Sequence, residues 1–345
     1  MRVITFVSSF LITLIIISSC DNSPTISEEP PPGSRDYTWK VDTLNYPYNI
    51  NTRIWGSSPS DVWAINSGYS DKTIFHYDGN EWSTDGIPRP ISPRSIWGFS
   101  DENVWIGGSE GAIWHYSVYF WSENVVFRKD GNRQIVFDNM WGDAPNNLYA
   151  FGGYADEKGR PNNSVIAHYN GNEWAMLNTD GLTGIVERYY KNKSDNKIYL
   201  RTNRMGGGEF PDSNLIYEHN KGGYKKIYGN IWTKGLQTDL SLINGEVYFV
   251  MGSRIAKRVN NQFRTIITVD NPEFYQRIWG RNQNDIFLLM TDGLVHYNGN
   301  DMEYLFNFDK PRTQIYGAAI FEKELFFLTH ESPTNLNLLY HGKIN

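Results

Sequence analysis

The residue types most suggestive of chemistry are four histidines, His76, His115, His168 and His296, each followed directly by a tyrosine. A histidine set is a common way to hold zinc, which needs its ligands about 2 Å away. Here each histidine sits at the same place in a different copy of one repeated phrase, so repeats arranged side by side hold the four a repeat-width apart. Structural hydrogen bonding within or between repeats is the expected role. Asp61, Asn103, Asn147 and Asp285 also recur, each ahead of an apolar run. One oxygen per turn, without an Asp-x-Asp-x-Asp-Gly ladder, reads as turn chemistry and not calcium. The stretch RMGGGEF at 204–210 is glycine-rich, but no Lys-Ser or Lys-Thr follows it and no helix is expected there, so it is not a phosphate loop. Paired carboxylates, a Ser/His/Asp set and HExxH do not occur as local motifs. No catalytic residue, cofactor or metal is therefore expected, although an active site assembled from several repeats would leave no local motif.

The elements that must position these residues repeat. The phrase IWGSSPSDVWAINSGYSDKTIFHYDGNEWS begins at Ile54, and related phrases begin at Ile96, Met140 and Ile278. In all four an aromatic is followed eight positions later by another: Trp55 and Trp63, Trp97 and Trp105, Trp141 and Tyr149, Trp279 and Phe287. Weaker copies begin at Arg188, Leu240 and Ile315, which makes seven units. Each holds four short apolar or aromatic runs parted by turn residues such as Asp-Gly-Asn and Asn-Gly-Asn, the pattern of strands and tight turns. Outside the first twenty residues no long window has helical periodicity.

Four strands per repeat of this length predict an all-β fold, a seven-bladed β-propeller of four-stranded antiparallel blades. Runs such as EVYFVMG and DIFLLM are apolar on both alternating faces, as expected where each blade is covered by two neighbours. The last unit has only three strands, while YTWKVDTL at 37–44 is a strand without a unit. That N-terminal strand is predicted to complete the seventh blade and close the ring.

The third unit, LYAFGGYADEKGRPNNSVIAHYNGNEWAML, resembles a Kelch repeat through Gly152-Gly153, the variable loop, and the Tyr and Trp that follow. The second, SDENVWIGGSEGAIWHY, is similar to the repeats of periplasmic propeller sensors of two-component regulators. Both resemblances imply a propeller. The sialidase-type box Ser-x-Asp-x-Gly-x-x-Trp is matched only in part by DGNEW at 78–82, and no arginine triad is identifiable.

The turns between the first and second and between the third and fourth strands are short and stereotyped. The loops joining strands two and three, and those joining blades, vary: NSGYSDKT, GGYADEKGRPNNS, NRMGGGEFPDSN, HESPTNLN and STDGIPRPISPRS. These variable loops share one face, the expected binding face. Its candidate anchors are Tyr69, Arg89, Arg94, Tyr154, Arg160, Arg204, Glu209 and Phe210. Arg53, Asn139, Arg188, Arg277 and Gln314, just ahead of the first-strand aromatic or aliphatic residue, are candidate lining of the central channel.

The N-terminus has its own logic. MRVITFVSSFLITLIIISSC has one positive charge, a short apolar run and small residues before Cys20, the single cysteine of the chain. It resembles a bacterial lipobox, which implies a signal peptide over 1–19 and acylation of Cys20. Residues 20–36, rich in proline and acids, are expected to form a flexible tether, with the propeller over 37–345. Without residues 1–19 the chain carries 31 basic and 38 acidic residues, which offers no basic footprint for nucleic acid. The expectation is thus a monomeric, lipid-anchored protein of the bacterial cell envelope, on the outer rather than the inner membrane. It is expected to bind a protein or glycan through its variable face without catalysis. The alternative is a carbohydrate-active enzyme with its site at the channel mouth.

Overall fold

A two-residue turn preceded by one bulged residue places residues eight apart opposite each other on facing strands, and in the computed structural model the repeated aromatics are such cross-strand partners, with the bulge after Gly56, Gly98, Gly142 or Gly280. Trp55 faces Trp63, Trp97 faces Trp105, Trp141 faces Tyr149 and Trp279 faces Phe287. The structure describes residues 31–44, 49–129, 135–206, 212–231 and 238–345. The signal segment, Cys20, most of the tether, Glu209 and Phe210 lie outside the described residues.

The described chain forms seven four-stranded antiparallel sheets. Blades 1 to 6 are consecutive, covering residues 51–83, 93–126, 136–176, 185–231, 238–268 and 274–307. Blade 7 takes three strands from 313–344 and its outermost from Tyr37–Leu44, which runs antiparallel to Leu336–Ile344 from Tyr37 opposite Ile344 to Leu44 opposite Asn337. Among the described residues the only helical element is a 3-10 turn at Ser109–Gly111.

Each interface between blades has its own apolar cluster. Trp63 and Ile65 of blade 1 pack with Ile106 and Trp121 of blade 2, and Leu328 and Leu339 of blade 7 pack with Ala64 and Phe75 of blade 1. Trp63 meets Tyr116 and Trp121 of the next blade at ring separations of 5.1 and 5.7 Å, and Trp105 meets Tyr169 and Trp174 at 5.0 and 5.6 Å. Such pairs contribute about 0.5–1.5 kcal/mol each beyond the area they bury. The glycine of the Trp-Gly pair leaves room for this wedge: a Cβ on Gly98 would stand 2.5 Å from the ring of Trp55.

The histidines bond within their own blade. His76 Nε2 lies 2.7 Å from Asp61 Oδ1, which also accepts from Trp63 Nε1, while the imidazole stacks on the Trp63 ring at 4.0 Å. His115 with Asn103 and Trp105, His168 with Asn147 and Tyr149, and His296 with Asp285 and Phe287 repeat the arrangement. The recurring Asp and Asn side chains therefore reach across the sheet to a ring nitrogen, where turn chemistry alone was expected of them. In blades 1, 3 and 6 the following tyrosine then clamps a turn: Tyr77 donates to the carbonyl of Gly79 at 2.9 Å, Tyr169 to that of Gly171 at 2.9 Å and Tyr297 to that of Gly299 at 2.7 Å.

The last residues of the expected tether are part of the folded body. Gly33 N donates to Asn284 O at 2.8 Å, and Arg35 pairs with Asp301 at 2.6 Å and Glu303 at 3.0 Å, all on blade 6. The folded body therefore includes Gly33 and Arg35, which were expected to belong to the tether.

Candidate functional site

The up-and-down order of strands puts the first-to-second and third-to-fourth turns on one face of the ring and the variable loops on the other. Each innermost strand starts at the variable-loop face. In blades 1 to 4 and in blade 6 a β-bulge falls at or just before the channel position: between Asn51 and Arg53, Pro93 and Ser95, Val136 and Asn139, Val186 and Arg188, and Phe274 and Ile278. A bulge re-aims the side chain it carries. Here the result is a polar ring at the variable-loop mouth of the channel.

Arg53 Nε donates to Asn139 Oδ1 at 2.9 Å and Nη2 to the carbonyl of Asp138 at 2.9 Å. Blade 2 separates these partners along the ring, so the bonds cross the channel. Asn139 Nδ2 continues to the carbonyl of Glu187 in blade 4 at 3.1 Å. On the far side three guanidiniums converge on Asp239 of blade 5: Arg201 at 2.8 Å, Arg188 at 3.2 Å and Arg277 at 3.5 Å. Gln314 lies at the equivalent position of blade 7 and is half-buried.

The charges in this ring are unequal. Burial alone would raise the Asp239 carboxyl, but the three arginines hold it below the usual carboxylate range. Burial, with the neighbouring Glu187 charge, pushes Asp138 up to about 6. Burial lowers Arg53 to about 10, still charged at neutral pH, and also lowers Arg277, which faces Arg188. Among the described residues no carboxylate lies within ion-pair distance of Arg53. Four guanidiniums thus face three carboxyls, one of them readily protonated, and the channel mouth is positive on a chain of net charge −6. Asp239, Asp138, Glu187 and Arg201 were not singled out in the sequence. Asp239 stands before Leu240 as Arg53 stands before Ile54, so the repeat register could have pointed to it; Asp138 and Glu187 directly precede two candidates.

On the surrounding loops, Tyr69 is 57% exposed and Arg94 is exposed within electrostatic reach of Asp138. Arg89 is not an open anchor: it is paired with Asp85 and its side chain is only 9% exposed. Arg160 is paired with Asp156 at 3.3 Å, and Tyr154 packs half-buried on the blade 2–blade 3 cluster with Lys129 over its ring. Arg204 is half-buried and already engaged. Ile87, Met205 and Ile231 add exposed apolar surface to the same face. A cavity of about 400 Å³ opens there, lined by Ser253, Asp270, Asn271, Pro272 and Gln276. Another, of about 420 Å³, lies at the opposite mouth between Trp97, Trp141, Asp143, Lys191 and Lys193. No group of three or more potential metal ligands occurs among the described residues.

These features define a seven-bladed β-propeller with a cationic channel mouth. No family model and no curated protein matches the chain. Solved structures do resemble it. YCF48 bound to D1 peptide is 14% identical, with a TM-score of 0.61 over 90% of this chain and 99% of that one. A streptogramin B lyase is 12% identical, with a TM-score of 0.62 over 90% and 98%. The extracellular domain of the putative one component system BT4673 from B. thetaiotaomicron is 11% identical, with a TM-score of 0.57 over 88% of this chain and 40% of that one. At such identities the likeness is one of fold.

Proposed function

We propose that this protein is a non-catalytic binding platform, carried on the bacterial envelope by acylated Cys20, whose variable-loop face takes a protein or glycan bearing negative charge. The observation that supports this is the convergence of Arg53, Arg188 and Arg277, from blades 1, 4 and 6, on the channel at that face. Guanidinium forks suit carboxylate, sulfate or phosphate groups. Exposed Tyr69, Ile87 and Met205 around the mouth supply apolar contact. One of the solved propellers of this fold is described as bound to a peptide and another is a lyase, so the architecture serves both binding and catalysis.

The test is crosslinking in the native envelope with wild type, Arg53→Gln, and a form whose 154–163 loop is replaced by Gly and Ser. The expected result is one partner captured by wild type, reduced at least tenfold by either change and by raised salt. Capture indifferent to both changes would defeat the reading.

The catalytic alternative rests on Asp138 and Glu187, two carboxyls in one positive channel, the first poised to carry a proton. It requires envelope-glycan hydrolysis that Asp138→Asn abolishes.

A further inference from the structure

The third-to-fourth turn of blade 2 breaks the rule its counterparts obey. Blades 1, 3 and 6 use Asp-Gly or Asn-Gly there, and blade 5 uses Asn260-Asn261 with φ of 50° and 62°. Blade 2 puts Val118 and Tyr119 at φ of 50° and 70°, between the paired ends Ser117 and Phe120. A β-branched residue in the left-handed region is strained, and such outliers persist where they are used. Val118, Tyr119 and Phe120 are also 71%, 75% and 58% exposed, three successive apolar side chains in solvent. None of the three belongs to the apolar clusters on either side of blade 2.

The same face is where the chain leaves towards its N-terminus. The Gly33–Arg35 segment is pinned to the turns of blade 6, around Asn284 and Asp301. Blades 2 and 6 stand on opposite sides of a seven-membered ring. Residues 21–32, extended, span at most roughly 40 Å. A lipid at Cys20 would therefore hold this face within reach of a bilayer on one side, with the apolar finger on the other.

We propose that Val118–Phe120 is an interfacial membrane anchor, and that finger and tether together lay the stereotyped-turn face on the lipid, turning the variable-loop face outward. Tyrosine and phenylalanine suit the boundary between headgroups and acyl chains. A short apolar finger holds weakly by itself but adds to a lipid chain, the two-signal logic of peripheral anchoring. Asp101 and Glu102 adjoin the finger, and the Tyr119 hydroxyl bonds to Glu102, so uncharged headgroups are the better match.

The proposal rests on acylation of Cys20, and the experiment separates the two. Full-length protein is reconstituted in phosphatidylcholine vesicles with a polarity-sensitive thiol probe at Ser117→Cys, at Tyr69→Cys, or at Ser117→Cys together with Val118→Asn and Tyr119→Asn. The probe at 117 is expected to be shielded from aqueous iodide severalfold more than at 69 and quenched by brominated lipid. The asparagine pair, tolerated at the same turn of blade 5, should abolish that difference. Equal iodide access at 117 and 69, or shielding that survives the asparagine pair, overturns the proposal. Wild type serves as the acylation control, because Cys20 takes up label only if it is not acylated. In that event the finger stands if wild type floats with vesicles and the asparagine pair does not, and falls if both sediment.

Discussion

Arg53, Arg188, Arg277 and Asp239 show how a symmetric scaffold yields an asymmetric site. Equivalent backbone positions in different blades carry different charges, and bulges in blades 1, 4 and 6 aim the three arginines at one channel. The cost is borne by Asp138, a half-buried carboxyl without an ion pair among the described residues. Its folded pKa of about 6 lies above the ordinary 3.8. Proton binding therefore favours the folded state: its stabilisation is fully present below the unfolded value and is lost as pH rises through 6. Asp138→Asn, which keeps shape and removes the charge, should raise the melting temperature at pH 7.5 by a few degrees and have little effect near pH 4. His115 works in the opposite sense. Burial lowers its pKa from 6.5 to about 4, so its contribution is present above 6.5 and lost as pH falls towards 4. Melting curves of Asp138→Asn and of His115→Gln across pH 4–8 separate the two signs.

At the level of elements, one four-stranded module is tuned through its turns and wedges. In blades 1, 2, 3 and 6 an aromatic-to-His stack and the Asp or Asn that receives the imidazole fix the sheet internally, while the tyrosine and tryptophan of blades 2 and 3 pack on the tryptophan of the preceding blade. Blade 2 departs from the module at its third-to-fourth turn, with Val118 and Tyr119. A left-handed backbone costs a non-glycine residue about 1–2 kcal/mol, and asparagine tolerates it better. Val118→Asn with Tyr119→Asn should thus stabilise the soluble protein by about 1–2 kcal/mol in urea unfolding. Unchanged or lower stability would mean that the native turn is not strained.

For the whole molecule, closure decides cooperativity. The outermost strand of blade 7 comes from residues at the other end of the sequence, and Leu44 is buried with Leu328, Leu339, Ala64 and Phe75 where the ring shuts. A chain beginning at Tyr46 loses that strand and exposes the edge of Leu336–Ile344. It should melt at least 10 °C lower or lose its single transition; melting unchanged by the deletion would show that closure does not need the strand.

The repeat number, the strand-rich blades and closure by 37–44 were legible in the sequence. Local rules carry them: turn residues punctuate strands, aromatics eight apart become cross-strand partners across a two-residue turn and one bulged residue, and double-sided apolar runs require neighbours on both faces. The candidate channel positions were legible for the same reason, because a repeat that aligns in sequence aligns in the ring. What tertiary structure alone decided is how distant blades combine. That Arg53 reaches Asn139 across blade 2, that Asp239 gathers three arginines, that Arg89 is already occupied by Asp85, and that Gly33 and Arg35 belong to blade 6 depend on distances between segments far apart in the chain. No local pattern encodes those distances, since burial and charge pairing are properties of the closed ring.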